Sequence, residues 1–68
     1  MTATIKTETI GKHAVSIEIE KYSTVYAVRG FYNRGGLWYT ISENYYGDIR
    51  KAKKQYAALR RRYTKEEA

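Results

Sequence analysis

Sixty-eight residues with no cysteine, no proline and a single histidine allow one small domain, and exclude disulfide support, a thiolate metal site or an imidazole zinc site within one chain. The net charge of +6 is unevenly placed, with +1 on residues 1–47 and +5 on residues 48–68. No apolar run approaches the ~20 residues of a membrane span and no signal-peptide pattern opens the chain, so the expectation is a soluble, cytoplasmic protein with no membrane partner.

Residues 2–10 are rich in β-branched types, but only Ile5 and Ile10 are apolar beyond Ala3, so 1–12 reads as an edge strand or a partly ordered arm. Gly11-Lys12 supplies a turn. A two-residue turn there sends Ile5 outward, and a three-residue turn that includes His13 brings it inward; the sequence leaves both open. From 13 to 21 Val15, Ile17 and Ile19 alternate with Ala14, Ser16, Glu18 and Glu20, the pattern of a half-buried strand. Tyr22-Ser23 forms the next turn, a strand spans about Thr24 to Tyr32, and Asn33-Arg34-Gly35-Gly36 is a hairpin signal before a strand from Leu37 to about Ser42.

Register ties these strands together. A hairpin centred on Tyr22-Ser23 pairs Ile19 with Tyr26, Ile17 with Val28 and Val15 with Gly30. One centred on Arg34-Gly35 pairs Tyr32 with Leu37, Gly30 with Tyr39 and Val28 with Ile41. Both assign Tyr26, Val28, Gly30 and Tyr32 to one face, and a one-residue slip in either breaks that agreement. The expected inward set is Val15, Ile17, Ile19, Tyr26, Val28, Tyr32, Leu37, Tyr39 and Ile41, with Gly30 making room for the Tyr39 ring.

Asp48 is the expected N-cap of a basic helix over 48–64, regular from Ile49 to about Tyr63, with the remaining tail frayed. Ile49, Ala52, Tyr56, Leu59 and Tyr63 form its apolar seam. The fold class is α+β: an antiparallel β-meander of three or four strands over 13–42, with or without the first segment, and one C-terminal helix packed on one face. The whole chain, 1–68, is a single domain.

Two surfaces are candidates for binding. At 100° per residue Arg50, Lys54, Arg61 and Lys65 form a row opposite the seam, flanked by Lys53 and Arg60 on one side and by Lys51 and Arg62 on the other. Between 49 and 65 there is no acid at all, whereas ordinary solvated faces mix both signs. Such a stripe suits phosphates. Its bland counterpart is a face chosen for helix propensity and solubility. The second surface is the outer face of the sheet, where Arg29, Phe31 and Trp38 are expected together with Phe31 directly opposite Trp38, as a base-stacking platform or a protein hot spot.

One histidine and scattered acids cannot supply a nucleophile, a base and an orienting group, so neither an enzyme nor a cofactor is expected. Val25-Tyr26-Ala27-Val28 with Leu37-Trp38-Tyr39-Thr40-Ile41-Ser42 and Arg50 resembles the opening of GIY-YIG nucleases, but the defining triplets do not match and no catalytic residue is carried over. In architecture the chain resembles the sheet-plus-helix DNA-binding domains of plant ethylene-response factors and phage integrase arms. That resemblance implies a fold and transfers no residue, because the outer face here holds two large aromatics, one Arg and one Glu. The leading expectation is a non-enzymatic binding protein that engages nucleic acid or a nucleoprotein through the basic helix. The alternative is a protein-interaction module or inhibitor, such as a phage or mobile-element accessory protein that blocks a nucleic-acid enzyme or a defence nuclease in the manner of anti-CRISPR proteins. A homodimer is compatible with either.

Overall fold

The computed structural model describes residues 2–20 and 24–68, so the expected Tyr22-Ser23 turn lies outside the described residues. Four antiparallel strands, β1 (Thr2–Ile10), β2 (His13–Glu20), β3 (Tyr26–Arg34) and β4 (Leu37–Tyr46), lie in chain order in one sheet. The helix α1 (Ile49–Glu67) packs on one face of it. The first segment is thus a full edge strand. Its connection is the two-residue turn Gly11-Lys12, which pairs Ile10 with His13 and Glu8 with Val15. A register shift between Thr4 and Lys6 leaves Ile5 in a bulge, half exposed.

The β2–β3 register is the expected one, with Ile19 opposite Tyr26, Ile17 opposite Val28 and Val15 opposite Gly30. The second hairpin differs. Its turn is Gly35-Gly36, both at positive φ (62° and 87°), with the Gly36 N–H donating to Asn33 Oδ1 at 3.0 Å. A tight two-residue hairpin needs positive φ at both central positions, which the glycine pair provides without strain and Arg34 would not. Leu37 therefore faces Arg34, and Tyr39 faces Tyr32. This two-residue displacement preserves the faces, but a second shift between Gly30 and Phe31 leaves Ile41 unpaired and sets Ser42, Asn44 and Tyr46 opposite Gly30, Val28 and Tyr26. β4 consequently runs on to Tyr46, and the link to the helix shrinks to Gly47-Asp48.

Asp48 caps the helix as expected, its side chain accepting from the Arg50 N–H at 2.8 Å. Ala52, Tyr56, Leu59 and Tyr63 are buried against Val15, Ile17 and Val28, with Ile10, Tyr26, Tyr46 and Ile49 packed around them. The helix starts beside the last residues of β4 and ends over the β1–β2 turn. It crosses the sheet diagonally, packing mainly on β2 and β3. Leu37, Tyr39 and Ile41, expected in the core, are instead half exposed or more, because the lid never reaches the corner at the β3–β4 turn.

The far end of the helix is clamped. Residues 64–67, expected to fray, form its last turn. Glu67 Oε2 accepts from the Lys12 N–H at 2.7 Å and lies 2.6 Å from His13 Nδ1, while Glu66 Oε2 lies 3.1 Å from His13 Nε2. The buried His13 ring stacks on Tyr63 (centroids 4.6 Å apart) and meets Tyr32 edge-on at 5.0 Å. Gly30 makes room for Tyr63 and not for Tyr39: a Cβ at Gly30 would collide with the Tyr63 hydroxyl and ring. Gly30→Ala should therefore cost about 1–3 kcal/mol, as overpacking does. Gly47→Ala, where a Cβ meets no heavy atom within 4 Å, should stay within about 0.5 kcal/mol. Denaturant midpoints of the two variants check this contrast.

Candidate functional site

Every base on α1 is exposed, and each can be placed by its nearest acid. Arg60 Nε donates to Glu8 Oε2 at 2.8 Å, Arg62 lies 3.7 Å from Glu66 and Arg50 lies 3.8 Å from Asp48. Lys51, Lys53, Lys54, Arg61 and Lys65 are exposed and form no ion pair among the described residues. Arg50, Lys54, Arg61 and Lys65 lie opposite the buried seam, so the structure brings together the row that the helical spacing predicts. Lys54 and Arg61 rim a shallow hollow of about 310 Å³ with Tyr46, Lys51, Gln55 and Ala58.

Lys53 and Arg60 point to the other flank, where the helix overhangs β1. A groove of about 790 Å³ is lined there by Ile5, Lys6, Glu8, Ile17, Tyr56 and Ala57 together with those two bases. Glu8 is its organising group. It accepts from the Tyr56 hydroxyl at 2.7 Å as well as from Arg60. The Arg60 bond, then the Tyr56 bond, hold the Glu8 carboxyl down to about 2, and burial together with Glu8 pushes the Tyr56 hydroxyl up. Arg60 is therefore partly committed to the fold, tying β1 to the helix.

The outer sheet face is arranged differently from the expectation. Trp38 pairs with Asn33 and Phe31 with Thr40, so the two rings are not directly opposite. Phe31 is half-buried and Trp38 is 46% exposed. Arg29 is enclosed by acids: its Nε donates to Glu43 Oε2 at 2.7 Å, Nη1 to Glu18 Oε2 at 3.2 Å and Nη2 to the Tyr45 hydroxyl at 3.5 Å. Tyr45 in turn donates to Glu43 Oε1 at 2.7 Å, and the Arg29 and Tyr45 bonds hold the Glu43 carboxyl below the usual range. With two carboxylates around one guanidinium, this face is poorly suited to phosphates.

Sequence reasoning missed Glu8, Lys6 and the His13–Glu66–Glu67 cluster. The signal for the first two was the turn length at Gly11-Lys12, since the two-residue form puts Glu8 and Lys6 beside Val15 and Ile17. Among the described residues no group of three His, Cys, Asp or Glu side chains is placed to hold a metal ion, and no helix is long and apolar enough to cross a membrane. Compared with known proteins, the chain matches no family model, no curated sequence and no solved structure.

The carboxylates that fasten the helix set an acid limit. Glu8 titrates near 2 in the fold against an ordinary value of 4.5, and Glu67 is also lowered, by His13 first and then by the Lys12 N–H. A depressed carboxylate contributes stability that is full above its unfolded pKa and lost as the pH falls through the folded one. Thermal melts should therefore fall steadily between pH 4.5 and 2. Glu8→Gln should melt lower than the wild type at pH 7 and decline less steeply over that window.

Proposed function

We propose that the protein is a non-enzymatic binding domain that holds the phosphate backbone of nucleic acid, alone or within a nucleoprotein, on the outer face of α1. The observation that carries this reading is the set of five exposed bases on one helix with no ion pair among the described residues, Lys51, Lys53, Lys54, Arg61 and Lys65. Arg50, 91% exposed and only 3.8 Å from Asp48 at best, extends the row to the N-terminus.

Helix stability does not explain the N-terminal part of this placement. Cations favour the C-terminal end of a helix dipole and anions the N-terminal end. Here the first turn holds Arg50 and Lys51 and no acid, while the last turn ends in Glu66 and Glu67. The two acids are used on His13 and Lys12. No comparable internal use accounts for the N-terminal bases, and an external anion does. From Arg50 to Lys65 the row extends about 22 Å at 1.5 Å per residue on a rigid, sheet-backed rod. Contacts of this kind position a backbone and carry no sequence information by themselves.

The test is binding to duplex and single-stranded DNA and RNA at several salt concentrations. The wild type should bind at 50 mM salt and weaken steeply by 200 mM. Changing Arg50, Lys54, Arg61 and Lys65 to Gln should leave the thermal melt near that of the wild type and cost at least about tenfold in affinity at low salt. It should also flatten the slope of log K against log salt by roughly 0.7–0.9 per lost contact, about 3 in all. Absence of wild-type binding at low salt, or an unchanged slope in the variant, overturns the reading.

A further inference from the structure

The sheet has two edges of opposite chemistry. β1 carries a bulge at Ile5 and the charged Lys6 and Glu8, features that discourage further strand pairing. β4 has a bulge of its own at Ile41 but no charge at its hairpin end. Residues 37–42 carry no charge, and Leu37, Trp38, Tyr39 and Ile41 are 63%, 46%, 50% and 53% exposed. The uncovered side chains also point both ways. Tyr39 pairs with the helix-side Tyr32, and Trp38 with Asn33 on the outer side. A partner lying on one face would cover only half of them, whereas an added strand covers the edge and both faces at once.

We propose that β4 pairs antiparallel with β4 of a second copy of this chain, giving a homodimer with a continuous eight-stranded sheet. Three observations select a second copy as the occupant. The pairing segment is uncharged, so its self-association opposes no like charges, although each chain carries +6. The basic helices do not prevent it. A two-fold axis perpendicular to the sheet leaves both helices on the same face, at least about four strand spacings or ~19 Å apart. That exceeds twice the ~8 Å screening length at physiological salt. Finally, the dimer closes. Its only remaining edges are the two β1 strands, which are bulged and charged, so pairing stops at two copies.

The area is sufficient for a modest dimer. Half-exposed Leu37, Trp38, Tyr39 and Ile41 offer roughly 100 Å² each, and with the strand backbone the two copies bury at most about 1,000 Å², the lower end for a specific interface. The bulge at Ile41 divides β4, and the exposed apolar residues cluster at its hairpin half, so the pairing centres there.

Sedimentation equilibrium without nucleic acid tests this independently of the proposed function. At about 100 µM the wild type should weigh about twice the 8.0 kDa chain and dissociate on dilution. The Trp38→Lys, Tyr39→Lys double variant should weigh one chain throughout, with an unchanged helical circular dichroism signal. Ile5→Lys on the opposite edge should remain dimeric. Hydrogen exchange of the wild type needs no variant: β4 amides between 37 and 41 should exchange at least about tenfold more slowly at 500 µM than at 5 µM. A wild type that is monomeric at 100 µM, a dimer that survives the double variant, or β4 exchange independent of concentration overturns the proposal.

Discussion

The seating of Tyr63 over Gly30 is the contact on which the arrangement of this small protein depends. It is possible only because the middle of β3 has no side chain at that point. The same ring stacks on His13, whose two nitrogens face Glu67 and Glu66. One end of the helix is thereby fixed over the β1–β2 turn, while Gly47-Asp48 fixes the other beside the end of β4. With both ends determined, the helix must cross diagonally. The diagonal decides which apolar side chains are covered.

Charge follows from the same geometry. The acids near the helix are spent internally: Glu8 binds Tyr56 and Arg60, Glu67 binds Lys12 and His13, and Asp48 caps the first turn. On the outer sheet face Glu18 and Glu43 surround Arg29. The charge left facing solvent on the helix is therefore mainly positive, with the half-exposed Glu66 beside His13 and Arg62 as the exception. Unpaired like charges on one face repel, and those at the N-terminal end gain nothing from the helix dipole.

Much of this was legible in the sequence, and the failures have identifiable causes. The β2–β3 register followed from alternation alone, because a one-residue slip turns Val15, Ile17 and Val28 outward. The Asp48 cap and the Ala52–Tyr56–Leu59–Tyr63 seam followed from spacing. The second turn was misplaced by one residue, which moves the register by two, since Arg34-Gly35 and Gly35-Gly36 both leave the faces unchanged; only the need for two positive φ angles separates them. Alternation assigned Leu37, Tyr39 and Ile41 to the helix side without showing how far the helix extends. Periodicity reports direction, and coverage is a tertiary property. The partners of Glu8 and His13 lie 48 to 54 residues away and no local pattern announces them.

The uncovered corner and the basic stripe are thus two consequences of one lid. Had the helix run parallel to the strands, Leu37, Tyr39 and Ile41 would have closed a larger core, and the end of β4 would have been shielded on the helix side. Anchoring the helix on His13 and Gly30 draws it toward β1, where Glu8 and Lys6 meet it, and away from the β3–β4 turn. A chain of 68 residues without a disulfide has little apolar area to spare, so leaving four large apolar side chains at one edge is costly unless something covers them. The proposed pairing of β4 with its own copy would recover part of that area and set two rigid, largely basic helices on the same side of the sheet. A single extended polyanion could then contact both.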